Sequence, residues 1–316
     1  MKANSNSKVT LYACLILLSL PPRWGCGSDD DAQPTQTPTN TPTVTPTKTP
    51  TNAPQLAGNY ELWHWDSSLT ESNPLDRKYC AGHWQTIDAT HKLVWVDEMV
   101  VLDTDTNGNY RFWRVASCSA NGQDPLQPEL GHGQEPTLRS TNPIVYLEGD
   151  ALLAIHDGYK YTTWHINRTP DETSVSIDTV LDSGGSVVYD TDTLVYLGGG
   201  NVLQWRPTWA GSFVIFKYDY EPPTTGTQFT RDAVVVMGNW TKIDASHSLT
   251  FMGLNPQEDV VLDVDLSGNY RFWHYNRSIT GQGDPLDRVI RSGTWSDINS
   301  EDGIVYLPSE KLLVVQ

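Results

Sequence analysis

From residue 58 onward the chain is written in short apolar words separated by polar breaks, and no stretch carries the spacing of an amphipathic helix. Five segments share one pattern, two apolar and β-branched runs around a turn: "KLVWVDEMVVLD" from 92, "PIVYLEGDALLAIHD" from 143, "TLVYLGGGNVLQW" from 193, "SLTFMGLNPQEDVVLD" from 248 and "GIVYLPSEKLLVVQ" from 303. This is the signature of a β-hairpin. A second word joins a glycine to an aromatic-rich run, as "GNYELWHWD" at 58, "GNYRFWRVA" at 108, "GYKYTTWHIN" at 158, "GSFVIFKYD" at 211 and "GNYRFWHYN" at 268. Its copies start 50, 50, 53 and 57 residues apart. A third word, Gly-x-Trp, occurs as "GHWQTID" at 82, "GNWTKID" at 238 and "GTWSDIN" at 293, and is worn down to "GHGQEPTL" at 131 and "GGSVVYD" at 184.

Each period therefore holds four short strands in about 50 residues, the content of one propeller blade. With the Gly-x-Trp word as the first strand, the hairpin as the second and third and the Gly-x-aromatic word as the fourth, the chain opens on an orphan fourth strand at 58–66. It closes at 293–316 on a blade that lacks one. The expected fold is all-β, a five-bladed β-propeller whose N-terminal strand completes the last blade and removes the open sheet edges. Side-chain alternation agrees: Tyr110 and Phe112 share one face while Trp113 takes the other, and "VVLD" and "LVYL" are apolar on both faces, as strands sandwiched between sheets require. The alternative is a pair of lipocalin-like β-barrels, because 58–157 resembles 211–316, but it leaves 158–210 without a place.

The string "GTW…GIVYL…KLLVV", with "DTDTNGNYRFW", resembles the blade grammar of tachylectin-like and kelch-like propellers across nearly all of 58–316. Most blades lack the double glycine of kelch blades, which occurs in "LGGGN" at 197–201 and in "GGSVVYD" at 184. The resemblance to tachylectin-like propellers implies a lectin with one sugar site per blade.

The N-terminus adds an address. Lys2 and Lys8 precede the apolar run "VTLYACLILLSL", which is too short to span a bilayer, and Gly25 precedes Cys26. Residues 1–26 read as a signal peptide. Cys26 followed by "GSDDD" resembles the lipidated cysteine of bacterial lipoproteins, which implies an outer-membrane or cell-surface protein held by its N-terminal lipid. Plain secretion and an uncleaved anchor are the other readings of the same segment. Residues 27–55 include "PTQTPTNTPTVTPTKTPTN", which has almost nothing apolar to bury and reads as a disordered stalk ahead of the repeat domain at 56–316. In polyproline II its roughly 25 residues would reach on the order of 80 Å. The net charge of −17 argues against nucleic acid as a partner. Outside the signal and the anchor only Cys80 and Cys118 remain; export permits a disulfide between them, and two separate core thiols fit as well.

Three loops carry a shared word, "NPLDR" at 73, "DPLQP" at 124 and "DPLDR" at 284, expected between a fourth strand and the next blade. Asp76, Arg77, Asp124, Asp284, Asp287 and Arg288 are the candidate ligand-binding residues, because paired carboxylates and guanidinium groups bracket sugar hydroxyls. The competing reading is that Asp-Pro starts a turn and the charged pair fixes loop shape. "DTDTNG" at 103–108 places Asp103, Asp105 and Asn107 at the alternate positions of a calcium loop, although Arg114 stands where such a loop carries glutamate and a tight turn needs the same residues. No cofactor is expected, calcium being the one ion such a loop would take. Trp63, Trp84, Trp113, Trp164, Trp240, Trp273 and Trp295 fall at repeat positions and read as packing between blades, whereas Trp205 and Trp209 flank a turn and read as exposed.

No nucleophile elbow, His-Glu-x-x-His or cysteine–histidine metal spacing is present. The chain is therefore expected to be a binding module rather than an enzyme, recognising a glycan or a cell-envelope protein. The alternatives are a propeller glycoside hydrolase, whose carboxylates come from different blades and leave no local signature, and a structural module of the envelope.

Overall fold

The structure, a computed structural model, describes residues 58–316 apart from 67–72, 89, 98, 117, 119–123, 187, 207–210, 220–229, 256–257 and 308–310. The chain divides into two units, Met1–Pro50 and Thr51–Gln316, and all described residues belong to the second. The signal segment, Cys26, the stalk and Trp209 lie outside the described residues.

Alternating and doubly apolar runs become 21 strands in five sheets, with no helix among the described residues. The chain enters on β1 (Asn59–Trp65) and β2 (Leu75–His83). Blade 1 follows as β3 (Lys92–Asp97), β4 (Val100–Thr104), β5 (Asn109–Val115) and β6 (Leu126–Gln134). Blade 2 is β7 (Ile144–Leu147), β8 (Ala151–His156), β9 (Lys160–Arg168) and β10 (Val175–Gly185). Blade 3 is β11 (Thr193–Tyr196), β12 (Asn201–Arg206), β13 (Ser212–Asp219) and β14 (Thr230–Asn239). Blade 4 is β15 (His247–Asn255), β16 (Glu258–Asp265), β17 (Asn269–Tyr275) and, after the two-residue β18 (Gly281–Gln282) that pairs in parallel with β14, β19 (Leu286–Thr294). β20 (Gly303–Leu307) and β21 (Lys311–Val315) end the chain.

Blade 5 is built from both ends in the order β2-β1-β21-β20, with Tyr60 opposite Val315 and Leu62 opposite Leu313. Asn59 and Gln316 exchange two backbone hydrogen bonds at 3.1 and 2.9 Å. The innermost strands touch in turn, β20 on β3, β3 on β7, β7 on β11, β11 on β15 and β15 on β20, which closes a five-bladed propeller. Five apolar clusters fill the five interfaces between neighbouring blades.

The blades are phased differently from the sequence expectation. The hairpin supplies the two inner strands and the Gly-x-aromatic word the third. The outermost strand is a polar segment, such as "LQPELGHGQ", whose end carries the Gly-x-Trp word into the crossing to the next blade. The N-terminal strand β1 does complete the last blade, and it brings β2 with it.

Candidate functional site

Most of the sequence-nominated side chains are engaged inside the fold. The Asp-Pro-Leu words open the outermost strands, between the third and fourth strand of a blade rather than between blades. Asp124 Oδ1 accepts from the Leu126 backbone N–H at 2.8 Å and from the Trp84 indole Nε1 at 2.7 Å. Asp284 Oδ1 does the same for Leu286 at 3.0 Å and Trp240 at 2.9 Å, and Asn73 for Leu75 and Trp295, both at 3.1 Å. Each indole also stacks on the aromatic of its own blade's third strand: Trp84 on Tyr60, Trp240 on Phe213 and Trp295 on Tyr270, with centroids 4.4, 4.1 and 4.2 Å apart. The Gly-x-Trp word is thus a latch, whose tryptophan leaves one blade and is held by the next.

Asp76 and Asp287 face histidines one strand in, at 2.5 Å from His64 Nδ1 and 2.7 Å from His274 Nδ1. A third such pair, His165 with Asp178 at 2.9 Å, lies in blade 2. Burial pushes the Asp287 carboxyl up, but the bonds from His274 and Asn276 outweigh it and hold the group below its ordinary range. Arg77 reaches the Tyr79 hydroxyl at 3.1 Å and lies over that ring, and Arg288 on β19 stands opposite His274.

The calcium-loop residues are not gathered on one point. Asp103 is buried, its carboxylate 2.6 Å from His91 Nδ1 and accepting the Trp113 indole at 3.3 Å. Asp105 caps its own turn through the Asn107 and Asn109 backbone N–H groups and the Asn109 amide. Among the described residues no group of three or more histidine, cysteine or acidic side chains is placed to hold a metal ion. The blade 4 counterpart Asp263 meets His247 Nδ1 and the Arg271 guanidinium at 2.6 Å each and the Trp273 indole at 3.1 Å. Cys80 and Cys118 form a disulfide, with Cα atoms 6.0 Å apart, tying the outermost strand of blade 5 to blade 1. Trp205, expected to be exposed, is 2% exposed and sits in the core between blades 3 and 4 because its strand β12 is sandwiched by both neighbours.

Two interfaces depart from the latch pattern, and the one between blades 2 and 3 leaves an opening. The backbone N–H of Trp84, Trp240 and Trp295 donates to Gly58, Gly211 and Gly268; Glu135 makes the matching bond to Gly108 and Ser186 one to Tyr159, so glutamate and serine stand where those blades carry tryptophan. Among the described residues, the core between blades 2 and 3 is the only one of the five without a tryptophan. A cleft of about 490 Å³ lies there, lined by Ser186 together with side chains of blade 3. Tyr159 (57% exposed), Tyr189, Val234 and Met237 form its exposed apolar walls. Gln204 lines it at 1% exposure: its amide N–H donates to Asp192, while its Oε1 has no hydrogen-bond partner among the described residues. Arg206 also donates to Asp192, at 3.0 Å, and lies 5.0 Å from the Tyr189 ring centroid. The cleft offers flat aromatic faces, a fixed cation and a dry amide acceptor, a set that orients a small polar ligand. The worn word "GGSVVYD" at 184 is its mark in the sequence, and it points to no ligand because the site is made by a missing side chain.

A separate cavity is the central channel, about 440 Å³, lined by all five innermost strands.

No protein-family model matches the chain, and no curated protein matches it. Among solved structures, the chain is similar to one titled as a humanized mutant of the Chaetomium thermophilum Polycomb Repressive Complex 2 bound to the inhibitor GSK126, at 12% identity over 63% of this chain and 48% of that one, TM-score 0.37. It is similar to Saccharomyces cerevisiae Sqt1 at 12% identity over 68% and 52%, TM-score 0.32, and to a Mitotic Checkpoint Complex chain at 12% identity over 82% and 68%, TM-score 0.35. The chain spans about half the length of the first two.

Proposed function

We propose that this chain is a non-catalytic binding module that takes a glycan in the cleft between blades 2 and 3. The observation that carries the reading is the Gln204 Oε1, buried at the interface whose core holds no tryptophan among the described residues and itself without a partner among them. A buried acceptor without a donor is costly, and a ligand hydroxyl relieves that cost. Tyr159 and Tyr189 supply the stacking faces that a sugar ring uses, and the blade words that resemble tachylectin-like propellers favour the same ligand class. In this reading Cys26 carries the lipid and the Thr-Pro tract holds the propeller away from an outer membrane or cell surface.

The test is a glycan array on the protein with and without Tyr159→Ser. Tyr159 is mostly exposed, so the change leaves folding intact. A restricted glycan set whose binding weakens about tenfold in the variant, the worth of one stacking contact, supports the proposal. A blank array, or binding indifferent to Tyr159, defeats it.

A further inference from the structure

The central channel is ordered in tiers because its five strands run side by side. One matched position on each strand is aliphatic: Leu93, Ile144, Leu194, Leu249 and Ile304. Two residues further along they are all aromatic: Trp95, Tyr146, Tyr196, Phe251 and Tyr306, each half-buried. Burial, with Asp150 near one phenol and Glu148 near the other, pushes Tyr146 up to about 12 and Tyr196 up as well, so this tier stays neutral. At about 3.3 Å per residue, the aromatic tier lies on the order of 10 Å from the first residue of β3.

At that first position stands Lys92, half-buried, the only cation lining the cavity among the described residues. Its ammonium donates to the Asn142 carbonyl at 2.5 Å, and among the described residues no carboxylate pairs with it. Two acidic residues share this mouth and both are engaged elsewhere. Asp190 accepts the Gly158 N–H at 2.9 Å, and Asp192 takes Gln204, Arg206 and the Tyr189 N–H. Removing a cation from water without a counter-ion is unfavourable, and burial holds the Lys92 ammonium down to about 8. The channel thus joins one uncompensated cation to some 10 Å of neutral apolar wall.

We propose that the channel is a second binding site, for an amphipathic monocarboxylate whose head group pairs with Lys92 and whose apolar tail runs past the aliphatic tier to the aromatic one. The charge at the mouth sets the head group: Arg206 neutralises Asp192, Lys92 has no carboxylate partner among the described residues and takes one negative charge, and Asp190 beside it disfavours a second. The length of the wall sets the tail, since about eight to ten methylenes span it. The site is separate from the cleft, and Asp192, which lines the channel and anchors Gln204 and Arg206 of the cleft, stands between them.

Calorimetric titration of the full chain with decanoate and with decanol tests this. Decanoate is expected to bind with one-to-one stoichiometry and to weaken about ten- to a hundredfold in Lys92→Met, the scale of one hydrogen bond to a charged group. Decanol affinity should stay unchanged in that variant, and Lys92→Arg should retain decanoate. Leu194→Phe, which narrows the channel, should weaken both probes, whereas Ser186→Trp, which fills the cleft, should weaken neither. The proposal is overturned if decanoate does not bind, if Lys92→Met leaves its affinity unchanged, or if Ser186→Trp removes it.

Discussion

Asp263 has no exposed surface and satisfies three donors at once, His247, Arg271 and Trp273. Breaking a buried charged network by removing its acceptor strands the remaining groups, so Asp263→Leu is expected to cost about 3–5 kcal/mol in denaturant unfolding. Asp287→Ala, at a solvent-facing histidine pair, should cost no more than about 1 kcal/mol in the same measurement. The turn aspartates set the acid limb. The Thr90 hydroxyl and N–H hold Asp88 below its ordinary value, Ser246 does the same for Asp244, and in Asp105 and Asp265 the Asn109 and Asn269 bonds outweigh burial. A carboxyl depressed by folding contributes stability above its unfolded value of 3.8 and loses it as the pH falls through the lower folded value. His91 has the opposite sign: burial lowers it, the Asp103 bonds outweigh that, and the raised group contributes below 6.5 and fades as the pH rises through its folded value. Melting temperature against pH should therefore fall off on the acid side below about 4, and Asp105→Asn together with Asp265→Asn should flatten that limb.

Strands and latches are where the sequence was most and least readable. The hairpin runs were legible because a strand covered on both faces leaves an unbroken apolar string, as in Val100, Val101 and Leu102. The outermost strands were not, because one covered only on one side reads as polar loop; β2 and β19 show a buried leucine followed by three exposed residues. A repeat also fixes the number of units without fixing where a unit starts, so the pattern alone is equally consistent with the Gly-x-Trp word ahead of the hairpin. Asp124, Asp284 and Asn73 stood out as a shared word, but the pattern held no sign that their partners were the tryptophans of the preceding blade. Trp240→Ala removes both the stack on Phe213 and the bond to Asp284, and is expected to cost about 3–5 kcal/mol. Ser186→Trp should do the reverse at the interface between blades 2 and 3, closing the cleft and abolishing glycan binding on the array while the thermal melt is kept.

At the scale of the molecule, the ring depends on pairing its two ends. β21 alone joins the N-terminal pair β1 and β2 to β20, so the last strand of the chain is the inner neighbour of the first. The disulfide from Cys80 to Cys118, 38 residues apart, ties the same seam to blade 1, and replacing both cysteines by alanine should lower stability by about 2–4 kcal/mol in denaturant melts under oxidising conditions. The most direct measurement of the closed ring is amide hydrogen exchange on the full chain beside a chain ended after residue 310. If β1 is held by β21, amides of Tyr60–His64 are strongly protected in the full chain and exchange at the rate of an open strand once β21 is gone. Equal protection of β1 in both chains would contradict the closure and, with it, the five-bladed ring.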